Sequence, residues 1–377
     1  MEKKLIFVNP LGECFTPTVS GSRATWIWEM CRAAQEFGIE PWVLTEDASA
    51  ECLPWGRTVK MSCPSLLEKR FLAKHRCRGD LTPALQKKWI ETLFLTIRKK
   101  QWHRATFVFH DAPETVWFLR ASFPEAQLIH LFHKAAHCSS DVRKGFASSV
   151  DVAMAVSADC ARWNEGYFGC AIHILRNGVD SKRFVPLQKT KKDRPLIGFV
   201  GSTSRQKAPD LLLRAALRLA EGFNGFDLQV LGSCSEGIPQ KNAYQELLEA
   251  LACRLEQRGV SVERPGFVNR LALPRLLARA DIHVVPSRCE DPCPMSVLEG
   301  MATGQATVAA ACGGIPEIVG SAGFLFERDD IFGLEARLRV LLQNEELRDS
   351  YGRRARERAQ QRPWSLVCGE LMEIVNF

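Results

Sequence analysis

Pro195-Leu-Ile-Gly-Phe-Val-Gly201 is an apolar run that ends on glycine, and Pro209 then opens a helical pattern that reaches about Ala220. Phe226-Asp-Leu-Gln-Val-Leu-Gly232 is the next run of the same kind. Strand, glycine loop, helix and strand, in that order, is the building unit of a parallel, doubly wound sheet. The order recurs at the start of the chain. Lys4-Leu-Ile-Phe-Val-Asn9 reads as a strand, a loop with Gly12 and Gly21 follows, and an amphipathic helix spans about Ser22 to Phe37. Gly38 suits the left-handed residue that closes a helix, and Pro41-Trp-Val-Leu-Thr45 reads as the second strand. Two such starts predict an α/β protein of two doubly wound, Rossmann-like domains. Between them Lys189-Thr-Lys-Lys-Asp-Arg194 has no apolar residue and marks the boundary. The expected domains are 1–188 and 195–363, with 364–377 a last helix crossing back to the first.

A length of 377 residues suits two domains, and 46% hydrophobic with 25% charged residues suits chains that form cores. No apolar run approaches the roughly 20 residues that span a bilayer. Met1-Glu-Lys-Lys-Leu-Ile-Phe-Val-Asn-Pro reads as a first strand rather than a secretion signal, so the expected location is cytoplasmic. The 14 cysteines include no Cys-x-x-Cys pair; the nearest two, Cys289 and Cys293, have no histidine at ligand spacing. They read as packing.

The net charge of +7 is concentrated. Residues 69–104 hold eleven Lys or Arg against Asp80 and Glu91, so the rest of the chain is close to neutral. Within this segment Leu85, Trp89, Leu93 and Ile97 recur every four residues, which is helical spacing. Three readings stand open. The stripe packs on the first sheet and the charges are solvated; or the helix lies at an anionic membrane surface, peripheral at its inner face; or the charges meet an anionic soluble partner. No nucleic-acid partner is expected.

The chemistry concentrates in the C-terminal half. Ala280-Asp-Ile-His-Val-Val-Pro-Ser287 contains a buried parallel strand at Ile282–Val285, followed by a Pro-rich loop and a helix with Ser296, Glu299 and Met301 near its start. Glu290, Asp291 and Glu299 flank that helix N-terminus, where exposed N–H groups and the dipole favour a diphosphate. Carboxylates there accept hydrogen bonds from sugar and ribose hydroxyls. Taken alone, the three acids also fit ordinary capping and solvation. Next, Thr307–Cys312 reads as a strand, and Gly313-Gly-Ile-Pro-Glu-Ile-Val319 opens another helix on a glycine pair that could cradle phosphate.

In this order the pieces resemble the family-4 retaining glycosyltransferases of the GT-B fold, in which two such domains face a cleft. The likeness is tightest from Ser157 to Asp330. Asp151-Val-Ala-Met-Ala-Val-Ser157, Asn177-Gly-Val-Asp180 with Phe184 and Pro186, Gly201 with Lys207, Asp291-Pro-Cys-Pro-Met-Ser-Val-Leu-Glu299, and Gly313-Gly-Ile-Pro-Glu317 all look like family segments. The resemblance implies a role for each residue. Lys207 would neutralise the leaving diphosphate, and Glu299 would hold the ribose. Asp291, or the adjacent Glu290, would contact the transferred sugar together with amides near Pro294 and Met295. Gly201, Gly313 and Gly314 would cradle phosphate, and Gly21 would let the first domain's backbone approach it. His110 would contact the sugar, with His133 as the alternative; a lone histidine at a strand end is otherwise a structural residue. The chain departs from the pattern in carrying Asp291 where the family has Glu, and Ser202 where it has Arg. Arg205, three residues on, is the candidate to stand in for that arginine.

The expected reaction is retaining transfer from a UDP- or GDP-linked sugar to a hydroxyl acceptor, such as a cell-envelope glycan, lipid or small molecule. No Asp-x-Asp pair suggests a metal, and no cofactor beyond the nucleotide-sugar substrate is expected. The alternatives are an epimerase or hydrolase of the same fold, or a non-catalytic sugar-nucleotide-binding protein. Neither Gly12 nor Gly201 starts the Gly-x-Gly-x-x-Gly of an NAD-dependent dehydrogenase.

Overall fold

The computed structural model describes residues 4–13, 15–16, 21–46, 57–61, 83–187, 194–233 and 242–377. The chain divides into two compact units, Met1–Asn177 with Trp364–Phe377, and Gly178–Pro363.

The first unit is built on seven parallel strands: β1 (Leu5–Val8), β2 (Trp42–Thr45), β3 (Arg57–Lys60), β4 (Thr106–His110), β5 (Gln127–Phe132), β6 (Val152–Ala155) and β7 (His173–Ile174). Their order is β3-β2-β1-β4-β5-β6-β7, so the winding reverses between β1 and β4. In open parallel sheets the crevice at such a reversal, beyond the C-terminal strand ends, is where ligands sit. Helices α1 (Ser22–Ala34), α2 (Pro83–Lys99), α3 (Pro113–Arg120), α4 (Ser140–Ser149) and α5 (Ala158–Phe168) connect the strands. Leu5–Val8 and Thr106–His110 are buried at every position, which is why Leu5–Val8 and the centre of β4, Phe107–Phe109, are apolar without alternation. After α1 a short 3₁₀ turn, Gln35–Phe37, closes on Gly38 at φ 71°.

The recurring stripe of α2 faces inward. Trp89, Leu93 and Ile97 are buried in a cluster with Phe107, Phe109 and Phe123, while Lys87, Lys88, Arg98, Lys99 and Lys100 are exposed. The apolar face that a membrane-lying helix would need is therefore part of the core, and the basic face is what meets solvent. Residues 69–82 and the Leu85 side chain lie outside the described residues. Among the described residues no helix is long and apolar enough to cross a membrane. Leu93→Ala is expected to cost about 2–5 kcal/mol in urea unfolding, because a fully buried side chain leaves a cavity. A change under about 1 kcal/mol would mean the stripe is not packed this way.

The second unit has six parallel strands: β8 (Leu196–Val200), β9 (Asp227–Leu231), β10 (Val262–Gly266), β11 (Ile282–Val285), β12 (Ala306–Ala310) and β13 (Phe324–Phe326). Their order is β10-β9-β8-β11-β12-β13, with the reversal between β8 and β11. Its helices are α6 (Pro209–Leu219), α7 (Ala243–Glu256), α8 (Leu273–Leu277), α9 (Met295–Ala302), α10 (Ile315–Val319), α11 (Ile331–Gln343) and α12 (Glu345–Gln360). This unit starts at Gly178, ahead of the charged stretch 189–194. The reason is packing: Val179 N donates to Arg362 O at 3.0 Å, Phe184 is buried, and Arg356 Nη1 donates to Phe184 O at 3.2 Å. The last helix, α13 (Trp364–Val375), belongs to the first unit. Trp364 meets Trp26 of α1 edge to face, and Gln127 Nε2 donates to Val375 O at 2.8 Å.

Candidate active site

The two loops at the reversal of the second sheet carry the main constellation. Lys207 follows β8 and Asp291 follows β11, and Lys207 Nζ pairs with Asp291 Oδ2. Ser287 Oγ donates to the same oxygen at 3.0 Å. The Asp291 side chain is 7% exposed and that of Lys207 33%. The glycine pair closes over this acid: Gly314 N donates to Asp291 O at 2.9 Å, and Gly313 has φ 54°. A Cβ on Gly313 would come within 2.4 Å of the Asp291 backbone, so only glycine lets the two loops lie this close.

The structure separates the adjacent acids that the sequence left interchangeable. Asp291 turns inward to Lys207. Glu290 accepts from Gly313 N at 2.7 Å and pairs with Arg328, whose hydrogen bond holds the exposed Glu290 carboxyl below its usual range. Glu290 thus acts as a brace between loops. Glu299 is buried on α9, where Arg270 Nη2 meets its Oε1 at 2.7 Å. Arg270, from the segment after β10, escaped the sequence reading because nothing local ties it to an acid 29 positions later. Pro294 caps α9 without a side-chain hydrogen bond, leaving the amides of its first turn, at Met295 and Ser296, uncapped by any side chain among the described residues.

Gly201, at the end of β8, meets two more glycines that the sequence reading did not use. A Cβ on Gly232 would fall 1.9 Å from Gly201 O, and Gly232 N donates to Gly266 O at 2.9 Å. Three loop backbones therefore converge at this edge of the sheet. The Arg205 guanidinium lies 5.2 Å over the Tyr244 ring.

A clamp sets the Lys207 loop. Arg288 N donates to Gln206 O at 2.7 Å, and its guanidinium reaches Asp210 Oδ1 and Oδ2 at 2.7 and 2.9 Å. Burial raises the Asp210 carboxyl, but the hydrogen bonds from Arg288 and Tyr244 outweigh it and hold the group ionised. Beside Lys207, Ala208 is buried at φ 51°, a conformation that a Cβ disfavours. Ala208→Gly is expected to raise stability by about 0.5–1 kcal/mol in chemical denaturation, with strain relief exceeding the added chain entropy. A loss of stability would mean that the Ala208 methyl packs more favourably than its backbone is strained.

In the first unit the loops after β1 and β4 form a second cluster. Arg23 Nε meets Glu13 Oε1 at 2.6 Å, and Arg23 Nη1 meets Asp111 Oδ2 at 3.3 Å. Asp111 sits at φ 48° directly after β4, and its Oδ1 accepts from His133 N at 2.8 Å. His110 is 2% exposed, with its Nδ1 2.9 Å from His133 Nε2 and its ring against Trp26. Gly21 caps α1, and a Cβ there would fall 2.7 Å from the Glu13 carboxyl, whose Oε2 accepts from Ala24 N at 2.9 Å. The Glu13 carboxylate thus lies directly against Gly21, the glycine expected to let this domain's backbone approach phosphate.

Two Rossmann-like domains of this kind make up the GT-B fold. Residues 181–358 match the family described as Glycosyl transferases group 1. Sulfoquinovosyl transferase SQD2 of Arabidopsis thaliana is 28% identical over 257 residues, which are 64% of this chain and 44% of that protein. The chain spans about half the length of the curated relatives it matches. Among solved structures, sucrose-phosphate synthase from Thermosynechococcus elongatus superimposes with a TM-score of 0.79 at 18% identity, covering 100% of this chain and 98% of that one. Anabaena HepE in complex with UDP-glucose does so with a TM-score of 0.69 at 16% identity, covering 100% of both chains.

Proposed function

We propose that this protein is a retaining glycosyltransferase of the family-4 type, moving a sugar from a nucleotide sugar to a hydroxyl acceptor. The observation that carries the reading is Lys207 paired with buried Asp291 at the reversal of the second sheet, inside the segment matching group 1 glycosyl transferases. In such a transfer the bond from the anomeric carbon to the phosphate oxygen breaks, a bond to the acceptor oxygen forms, and the acceptor proton passes to the leaving phosphate. Negative charge builds on the diphosphate, and preorganised donors aimed at it lower the barrier. Lys207 and the uncapped first turn of α9 supply such donors, while the Gly313 and Gly314 amides hold Glu290 and the Asp291 carbonyl and so fix the loop around them. Asp291 accepts from a sugar hydroxyl, with Ser287 fixing one of its oxygens. Glu299 offers Oε2 to ribose hydroxyls while Arg270 holds Oε1. UDP is the favoured nucleotide, because HepE, a likeness of fold, is seen with UDP-glucose.

The test begins with thermal shifts against UDP-, GDP- and ADP-linked sugars, since a ligand of the native state raises its stability by mass action. Product analysis with and without acceptors follows. Turnover without acceptor would replace this reading with an epimerase or hydrolase. Glu299→Gln is expected to weaken nucleotide binding about 10- to 100-fold by calorimetry, for a lost charge-assisted hydrogen bond of about 1.5–3 kcal/mol. Unchanged affinity would remove Glu299 from the ribose site.

A further inference from the structure

The His110–His133 pair carries an inference that rests on the proposed function only for the name of its ligand. The two contacting nitrogens, His110 Nδ1 and His133 Nε2, are 2.9 Å apart. Burial pushes both imidazoles far below their usual range, His133 to about 3, so each ring is neutral and holds one N–H. One ring must donate to the other. If His133 donated, the His110 proton would sit on Nε2, a buried atom with no hydrogen-bond partner among the described residues. The ring packed against His110 is Trp26, with centroids 5.0 Å apart. Its only polar atom, Nε1, is itself a buried, unpartnered donor and cannot accept. A buried N–H without an acceptor forfeits a full hydrogen bond, and such orphans are rarer than unpaired acceptors. The less costly arrangement places the His110 proton on Nδ1 and leaves a lone pair on Nε2. His133 Nε2 then accepts, and the His133 proton lies on Nδ1. That nitrogen has no protein partner among the described residues, and its ring is partly exposed. Asp111 fixes the approach by accepting from His133 N.

We infer that His110 is a positioning residue that locks His133 in its Nδ1–H tautomer, so that His133 presents a hydrogen-bond donor, not a base, at the C-terminal edge of the first sheet. The atom it takes is an oxygen acceptor, a sugar hydroxyl under the function proposed above. Of the two histidines that the sequence leaves as alternatives for the sugar contact, His133 is then the one that faces the ligand and His110 stands behind it.

Long-range proton–nitrogen NMR on protein carrying nitrogen-15 histidine, at pH 7, reads the tautomers directly. The expected wild-type pattern is a protonated Nδ1 and a bare Nε2 on both rings. In His110→Leu the His133 proton is expected to move largely to Nε2. His110→Asn, whose amide N–H stands where Nδ1 stood, restores the original pattern. A protonated Nε2 on wild-type His133 overturns the inference, and that spectrum needs no variant to fold. So does an Nδ1–H tautomer that persists in His110→Leu. In transfer assays His110→Leu is expected to lower kcat about tenfold, with recovery in His110→Asn. Wild-type kcat in His110→Leu denies the positioning role. Absence of turnover with any nucleotide sugar overturns the proposed function alone, because the NMR pattern still decides the tautomer.

Discussion

Lys207→Ala is expected to lower kcat/KM for sugar transfer by about two to three orders of magnitude. Losing one preorganised donor to the developing charge costs about 3–4 kcal/mol of transition-state stabilisation. The effect should fall mainly on kcat, because charge on the departing diphosphate grows as the bond breaks. The same change removes the cation facing Asp291, leaving that buried carboxylate with the Ser287 hydroxyl as its side-chain partner. A fully buried pair broken this way costs several kcal/mol, but Lys207 is one-third exposed, so screening reduces the loss to about 1 kcal/mol. A drop of about 2–4 °C in Tm should accompany the kinetic defect. Asp291→Asn separates the two effects. It keeps an oxygen for Ser287 and leaves Lys207 free for phosphate, so it should damage sugar positioning more than nucleotide affinity. Near-wild-type kcat/KM in Lys207→Ala would take Lys207 out of the site and the proposed chemistry with it.

Acid should destabilise both units through histidines that fold neutral. His130 of β5 and His283 of β11 are fully buried, and burial lowers them from the usual 6.5 to about 3 and about 4. A base with a lowered folded pKa is protonated first in the unfolded chain. Stability is therefore complete above pH 6.5 and falls, as pH drops toward 4, by up to about 1.4 kcal/mol per unit for each histidine. At pH 5 the two together remove about 4 kcal/mol, a large share of the 5–15 kcal/mol typical of a folded protein. Urea midpoints measured from pH 7.5 to 4.5 should decline steeply below 6.5. His130→Gln keeps an acceptor for Ala112 N, which donates to His130 Nε2 at 2.9 Å, but cannot bind the proton. Its acid limb should be flatter by one proton. An acid limb as steep as wild type in that variant would mean that His130 titrates normally in the folded protein.

Much of the fold could be read before any coordinates. Leu5–Val8, Leu196–Val200 and Ile282–Val285 are short, mostly apolar and bounded by turn residues, and each forms within a residue of its reading. Gly38 was legible because a left-handed backbone position selects glycine whatever surrounds it; the φ of 54° at Gly313 was not part of the reading of that glycine pair. The α2 stripe was half legible. Its period shows a helix with one apolar face, but the same period serves a core or a membrane, and only the neighbouring Phe107, Phe109 and Phe123 select the core.

The sequence by itself determined the local grammar: which segments are strands, where helices open and close, which loops carry Lys207, Asp291 and the glycine pair, and which helix carries Glu299. Those are properties of residues close along the chain, where periodicity and backbone sterics act. Tertiary structure alone decided the partners. It turned Asp291 inward to Lys207 and Glu290 outward to Arg328, gave Glu299 its Arg270, and set Glu13 against the start of α1. It also drew Gly178–Leu187 into the second unit and sealed His110 behind His133. In each case the outcome depends on which distant side chains share a desolvated space. Buried charges and N–H groups demand partners there, and nothing in the spacing along the chain specifies them.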